Sequence, residues 1–269
     1  MPAEATLTEK NSQPAYHAAA RGSLIINADD WGRDSENTSR IFACLDFGTV
    51  SSASGMVFMA DSVRAADLAR EHNFDIGLHL NFTSAFTVPV TGKLVRHLNR
   101  VAHYLRRHRL SQVVYHPGLA DSFAYLVAAQ LEEFQRIYGH RPDRIDGHHH
   151  MHLCANVLIA QLLPEGTIAR RNFSFQPGEK SGVNRLYRRF IDRRLAKRHR
   201  LTDYFFSLPP LDPRERLQRI YALAASSTVE VECHPINPEE YKFLAGGEIL
   251  RLTGGQPVAN AYHIVSGAA

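Results

Sequence analysis

The chain alternates short apolar runs with segments of helical periodicity. The run at 23–28 is rich in β-branched residues and is typical of a buried strand, and 51–58 and 75–80 have the same character. Between these runs, apolar residues recur at helical spacing over 35–47 and 62–72. The pattern therefore predicts strand and helix in regular alternation through the first third of the chain.

The same alternation resumes after an irregular stretch. Residues 83–119 have little periodicity apart from a short helix predicted at 94–107, so we expect a long loop or insertion there. Further on, the predicted helices are 121–138, 156–163 and 213–225, and the predicted strands are 144–148, 167–171 and 228–233. Strands that alternate with helices predict parallel β/α units, wound as a barrel or as an open sheet.

Composition favours one globular domain over 23–269. The 269 residues are 44% hydrophobic and 22% charged, which is enough apolar material for a sizeable core. Residues 1–22 lack the basic and apolar regions of a secretory signal and are predicted to be a disordered tail. No stretch approaches ~20 apolar residues, so no membrane span is expected. Three widely spaced cysteines without a CxxC pair favour the cytoplasm over a disulfide-forming compartment.

The net charge of +4 is concentrated in one segment. Residues 185–200 hold eight Lys or Arg and a single acidic residue, Asp192. Such a block is compatible with nucleic-acid binding. Its apolar members nevertheless recur at near-helical intervals, so we interpret 180–200 as a helical insertion whose basic face is solvated.

Candidate chemistry is densest at 146–152, which reads DGHHHMH. Imidazole nitrogen and carboxylate oxygen together suit a divalent transition metal. A histidine tract alone is weak evidence, because surface tracts that bind metal loosely have the same composition.

Polar side chains also fall at the ends of four predicted strands. They are Asp29 with Asp30, His79, Asp146 with His148, and Glu232 with His234. Parallel strands deliver their carboxyl ends to one face, so these side chains are predicted to share a pocket. One Asp and two His can hold a divalent ion with positions left open for water and substrate. Each also has a plainer interpretation, since an Asp pair often caps a helix and a lone histidine is commonly structural.

Four motifs occur in a characteristic order: NADDWG at 27–32, GLHL at 77–80, RPDRIDGHHHMH at 141–152 and CHP at 233–235. In this respect the chain resembles the YdjC-like (ChbG-type) carbohydrate deacetylases, relatives of the NodB-type polysaccharide deacetylases, from about Leu24 to Leu250. The resemblance implies a distorted (β/α) barrel with mostly parallel strands. It also implies a metal-dependent removal of acetyl groups from N-acetylated sugars such as chitooligosaccharides.

The resemblance assigns roles to five residues. Asp30, His79 and His148 would be the metal ligands, Asp29 the general base and His234 the general acid. The HxxxH spacing pairs His148 with His152, whereas alternation along a strand pairs His148 with His150. The sequence therefore does not decide which histidine of the tract lies beside His148 at the site.

Five further residues are expected to support the ligands or to bind substrate: Asp146, His150, His152, Trp31 and Arg170. Asp146 is the candidate carboxylate partner of a ligating histidine. Trp31 is expected to stack on the sugar ring, and Arg170 to orient Asp29 or to hold the sugar.

The resemblance favours Mg²⁺ as the ion, and Zn²⁺, Mn²⁺ and Co²⁺ also suit the ligand set. A small carbohydrate is the expected partner, with no membrane, nucleic acid disfavoured and a homodimer left open. Two rival functions stay in view. The same site could hydrolyse another amide or a phosphate ester, or the chain could be a non-enzymatic, basic, histidine-rich protein that binds metal or nucleic acid.

Overall fold

The computed structural model describes residues 22–175 and 179–253, and the predicted tail at 1–22 lies outside them except for Gly22. Its strands are β1 Ser23–Trp31, β2 Ser52–Gly55, β3 Ile76–Leu80, β4 Arg144–Gly147, β5 Ile168–Ala169, β6 Tyr204–Ser207 and β7 Thr228–Cys233. They form one sheet in the order β5-β4-β3-β2-β1-β7-β6, and every pairing is parallel.

Helices connect and cover these strands. They are α1 Ser35–Asp46, α2 Ser62–His72, α3 Gly92–Arg107, α4 Ala120–Tyr138, α5 Ala155–Ile159, α6 Gly182–Leu195, α7 Arg214–Leu223, α8 Pro238–Ala245 and α9 Glu248–Leu252. Short 3-10 helices occupy Pro117–Leu119 and His148–Leu153. Over the described ranges, none of the helices has the length and apolarity that a bilayer crossing requires.

The sheet curls until its two edges meet. The backbone of Ala169 donates to the carbonyl of Arg200 at 3.0 Å, and that of Ser174 donates to Phe205 at 2.7 Å. These bonds join the segments of β5 and β6, which stand at opposite ends of the strand order. The predicted fold class, a distorted (β/α) barrel, is therefore confirmed.

Alternation along the strands separates two environments. On β1, Leu24, Ile26 and Ala28 join the large apolar core that the helices cover. Asn27 and Asp29 point to the other side, where their side chains bond to each other at 2.8 Å. The barrel interior is mostly polar, although Ile25 and Ile168 form a small apolar cluster apart from the main core. A polar interior of this kind requires nearly complete pairing of its charges.

Most predicted elements lie within a few residues of the observed ones, and the exceptions have local causes. The predicted helix 156–163 ends at Ile159, because the chain turns through a left-handed conformation at Gln161 (φ 52°). Helix α3 begins at Gly92, where the side chain of Thr91 caps the backbone of Leu94. The short strand β6 and the helices α8 and α9 were not predicted.

Candidate metal and catalytic site

A bulge at the end of β1 turns two adjacent carboxylates toward one pocket. The register with β2 shifts between Ala28 and Trp31, and Asp30 adopts a positive φ of 69°. Successive side chains of a regular strand point to opposite faces, whereas a bulge re-aims one of them. Asp29 and Asp30 are both buried, at 3% exposure each, and both approach the same histidine.

That histidine is His79 on β3, which is paired in register with Asp146 on β4. Its Nδ1 lies 2.8 Å from Asp146 Oδ1. Asp146 Oδ2 in turn accepts a short hydrogen bond from Ser54 on β2. The carboxylate partner fixes the orientation of the ring and directs Nε2 at the β1 carboxylates, 3.5 Å from Asp30 Oδ1 and 3.9 Å from Asp29 Oδ2.

His148 completes a cluster of three candidate ligands. It follows β4 directly, and its Nδ1 lies 3.0 Å from Asp30 Oδ1. Asp30, His79 and His148 each offer one ligand atom, and these atoms lie within 4.8 Å of one another. Asp30 Oδ1 is buried without a well-formed hydrogen bond among the described residues. Two imidazoles and one such carboxylate oxygen fit a divalent metal ion.

A second group, Asp29 with His79 and Asp146, has similar spacing but fits an ion less well. Asp146 is already engaged by His79 and Ser54. Both oxygens of Asp29 accept hydrogen bonds from Arg170. The carboxylates of this second group therefore have protein partners, which leaves the Asp30 cluster as the better candidate.

Electrostatics at His79 reflect the concentration of negative charge. Burial alone would lower the pKa of His79, but the carboxylates of Asp29 and Asp146 raise it to about 9. Burial also opposes the ionisation of Asp146, yet Arg170 and His79 hold the pKa of Asp146 at about 2. The protein without an ion therefore carries a proton at His79, and a bound cation would replace that positive charge.

Arg170, just beyond β5, occupies the centre of the polar interior. Its Nη1 and Nη2 donate to Asp29 at 2.7 and 2.8 Å, and its Nε donates to Glu230 at 2.7 Å. It also forms an ion pair with Asp146 at 2.9 Å. Although burial disfavours the charged form, Arg170 holds the pKa of Asp29 well below its usual range. Asp29 is therefore a fixed, ionised carboxylate.

The histidine tract separates into different environments, because the chain turns sharply at His149 and His150 (φ 55° and 57°). The ring of His149 lies 3.0 Å from the hydroxyl of Thr83. His150 packs 4.7 Å from the ring of Phe173, and burial lowers its pKa to about 3. Its Nε2 lies 3.7 Å from Glu232.

His152 is fully buried, and its Nε2 donates to the backbone carbonyl of Arg170 at 2.9 Å. Burial lowers the pKa of His152 to about 4, so the ring is neutral. Within 146–152, all of which the structure describes, His148 alone contributes to the Asp30 cluster, while His152 supports the chain at Arg170.

His234 emerges beside Asp29. The register of β1 with β7 pairs Ala28 with Cys233. The residues that follow this pair are Asp29 on β1 and His234 just after β7. His234 is half-buried, and its backbone donates to the buried carboxylate of Glu240 on α8 at 2.8 Å. The helix α8 therefore fixes the backbone of His234 at the edge of the pocket.

Trp31 lies elsewhere than expected. Its ring is 0% exposed and packs edge-on against Phe74, with 6.4 Å between ring centroids. The bulge at Asp30 places Trp31 in the core between sheet and helices. The expectation that Trp31 stacks on a sugar is therefore wrong, because no sugar can reach a fully buried ring.

Sequence reasoning missed Ser54 and Glu230, which bond to Asp146 and Arg170. The signal was available in the strands themselves. Polar residues alternate with small or apolar ones at Ser52 and Ser54 of β2 and at Glu230 and Glu232 of β7. Such alternation in strands covered on both sides indicates a polar barrel interior.

A family model described as "YdjC-like protein" matches residues 23–247. A carbohydrate deacetylase of Danio rerio is 28% identical over 58% of this chain, which corresponds to 50% of that protein. A chitooligosaccharide deacetylase of Klebsiella pneumoniae is 29% identical over 79% of this chain and 81% of its own length. The corresponding enzyme of Yersinia enterocolitica is 25% identical, covering 86% of this chain and 88% of that one.

Among solved structures, a crystal structure from Enterococcus faecalis, described as a cellobiose-phosphate cleavage protein, superposes with a TM-score of 0.65. The match covers 89% of this chain and 97% of that one at 19% sequence identity. At that identity the likeness concerns the fold alone.

Proposed function

The chain belongs to the YdjC-like family, and from that premise we propose that it is a metal-dependent hydrolase that removes acetyl groups from N-acetylated sugars. The observation that carries the proposal is the buried Asp30, His79 and His148 cluster beside the fixed carboxylate of Asp29. Relatives named chitooligosaccharide deacetylases match this chain over most of their length, so chitooligosaccharides are the first substrates to test.

One divalent ion would be held by Asp30, His79 and His148. When bound, such an ion polarises the acetyl carbonyl and acidifies the attacking water. Mg²⁺ is the ion that the family resemblance favours, and a mixed carboxylate and imidazole set also suits Zn²⁺, Mn²⁺ and Co²⁺.

Asp29 is the proposed general base. Arg170 holds both of its oxygens, so the carboxylate stays ionised and keeps one orientation toward the pocket. The same pairing lowers the pKa of Asp29, so this carboxylate can accept a proton only from a water whose own pKa is also lowered.

His234 is the proposed general acid. Collapse of the tetrahedral intermediate needs a proton on the nitrogen, because an amine anion is a very poor leaving group. A protonated imidazole can deliver that proton. The ends of β1 and β7 are adjacent, so the backbones of Asp29 and His234 lie side by side, which supports their assignment to one site.

Phe173 is proposed to contact the sugar ring in place of Trp31. It is half-buried, stacks on Phe205 at 4.5 Å and 12°, and touches His150 at the mouth of the barrel. Aromatic faces suit the apolar face of a pyranose. The single domain over 23–269 and the cytoplasmic location stay predictions.

The test is acetate release from diacetylchitobiose by protein that has been stripped with a chelator and reloaded with Mg²⁺, Mn²⁺, Co²⁺ or Zn²⁺. We expect acetate only after reloading, and no nitrophenol from nitrophenyl phosphate. Acetate release by the stripped protein would contradict the metal dependence. Phosphate ester cleavage without acetate release would instead support the rival hydrolase.

A further inference from the structure

Helix α6 packs against the barrel through polar and charged groups. Asp192 is buried and accepts hydrogen bonds from Arg171 and from the backbone of Asn172, both at 3.0 Å. The guanidinium of Arg188 lies 5.0 Å from the ring of Phe175. Leu195 adds a buried apolar contact in the last turn. The inward face of α6 is therefore unusually polar for a helix that covers a sheet.

The outward face of the same helix is apolar. Val183, Leu186, Tyr187 and Phe190 are 80%, 67%, 40% and 62% exposed. Their spacing of three and four residues places them on one stripe, which we call the α6 stripe. On α3, by contrast, most apolar residues are buried, Leu98 and Val101 among them. The outward face of α6 is thus apolar, whereas the buried face of α3 is apolar. A contiguous exposed apolar stripe of this kind marks an interaction surface.

Positive charge borders the α6 stripe. Arg189, Arg193 and Arg194 are exposed on the same helix, and Lys197 follows at its end. Asp192 is the one acidic residue between 182 and 200, and it faces inward. The outer surface of α6 therefore combines apolar side chains and cations without a compensating acid.

We propose that α6 docks on the surface of an anionic lipid bilayer, with the apolar stripe inserted at the interface and the arginines at the lipid phosphates. An apolar face bordered by cations is what an anionic bilayer complements, and binding through one such helix is reversible. A second copy of the chain would bring the same cations together across the interface, which is repulsive. A nucleic acid would satisfy the arginines but leave Leu186 and Phe190 in water or against phosphates.

The docking surface is linked to the candidate site by a short path. Asp192 holds Arg171 and Asn172, which follow Arg170 directly, and Arg170 holds Asp29. A bilayer bound at α6 would therefore lie beside the mouth of the barrel, where the strands end.

The test is sedimentation of the full chain with two kinds of vesicle, phosphatidylcholine alone and phosphatidylcholine with about one third phosphatidylglycerol. We expect at least about tenfold stronger binding to the anionic vesicles. The pair Leu186→Asp and Phe190→Asp, combined, should reduce it about tenfold or more, and so should Arg189→Glu with Arg193→Glu. All four residues are exposed, so thermal unfolding of these variants should match that of the parent.

Matched controls distinguish an effect of helix α6 on vesicle binding from an effect of net charge. Val63→Asp places the same acidic residue at an exposed apolar position of another helix, α2. Arg106→Glu with Arg107→Glu makes the same charge change in the last turn of α3. Both controls should leave vesicle binding unchanged.

Three results would overturn the proposal. One is equal loss of binding in the α3 control, which would indicate general charge attraction. Another is full binding by the stripe variant. The last is evidence for a different occupant, either a salt-resistant dimer that Phe190→Asp dissociates or binding of duplex nucleic acid by a protein that does not bind the vesicles.

Discussion

Arg170 donates to both carboxylate oxygens of Asp29, at 2.7 and 2.8 Å, across 141 positions of sequence. The same guanidinium donates to Glu230 at 2.7 Å and pairs with Asp146 at 2.9 Å. One arginine therefore orients the proposed base and also offsets the negative charge inside the barrel. The arrangement needs a planar guanidinium with several N–H donors, because the ammonium group of a lysine is a single point charge.

Arg170→Lys is expected to lower turnover about 10- to 100-fold while the ion is still bound. It should also lower the free energy of unfolding by about 2 to 4 kcal/mol, since buried carboxylates lose partners. Acetate release and urea denaturation measure the two effects. Arg171→Lys is the matched control and should keep turnover, because Arg171 donates to Asp192 and to a backbone carbonyl rather than to Asp29. Equal losses in both variants would contradict the assigned role.

Asp29→Asn is expected to lower turnover by about 10²- to 10⁴-fold, which is the usual contribution of a general base. The ion should still bind, because Asp29 lies outside the Asp30, His79 and His148 cluster. Metal content after dialysis, measured with acetate release, distinguishes the two properties. Loss of the ion together with turnover would instead make Asp29 a ligand.

Within the histidine tract, His148→Ala is expected to abolish tight metal binding, and His150→Ala to preserve it. His148 Nδ1 lies 3.0 Å from Asp30, whereas the nearest carboxylate recorded for His150 is Glu232 at 3.7 Å. Removing one of three ligands typically costs far more affinity than removing a neighbour. Titration calorimetry with Zn²⁺ or Mn²⁺ measures the difference. Retained affinity in His148→Ala would place the ion elsewhere in the tract.

Ser54→Ala is expected to weaken metal binding by about tenfold. Ser54 donates to Asp146, which in turn orients His79. Ser52→Ala is the matched control on the same strand and face, because its hydroxyl donates to Asn27 at 3.0 Å rather than to Asp146. Both variants should lose about 1 kcal/mol of stability, so only the affinity tells them apart. Equal metal affinity in the two variants would show that Ser54 does not support the metal ligands.

The stability of the metal-free protein should fall as the pH rises above neutrality. Burial disfavours a charged ring, but Asp29 and Asp146 raise the pKa of His79 from 6.5 to about 9. The folded state then keeps a proton that the unfolded chain releases, so this stabilisation is complete below pH 6.5 and is lost as the pH rises through 9. The decrease should reach about 3 kcal/mol.

Urea denaturation across this pH range measures the effect, with His79→Gln as the control in which the slope should largely disappear. Saturating metal should also flatten it, because the ion takes the place of the proton. An identical slope in the parent and in His79→Gln would mean that other groups, such as the buried cysteines, cause it.

The sequence alone predicted much of the fold, because its signals are local. Apolar runs at 23–28 and 228–233 and the helical spacing at 121–138 match β1, β7 and α4 closely. Polar residues at strand ends then indicated the face on which Asp29, Asp30, His79 and His148 would meet. The strand β6 was missed because four residues between a basic helix and Pro209 give too short a pattern.

The tertiary structure alone decided which side chains contact each other. The bulge at Asp30 turns Asp29 and Asp30 into one pocket and sends Trp31 into the core. The curl of the sheet brings Arg170 to Asp29, although β5 and β1 are separated by three strands in the sheet order. Periodicity along the chain records which side of an element is buried, whereas contacts between distant strands depend on how the sheet bends. For that reason the sequence determined the ends of the strands where the chemistry lies, and only the fold determined the partner of each carboxylate.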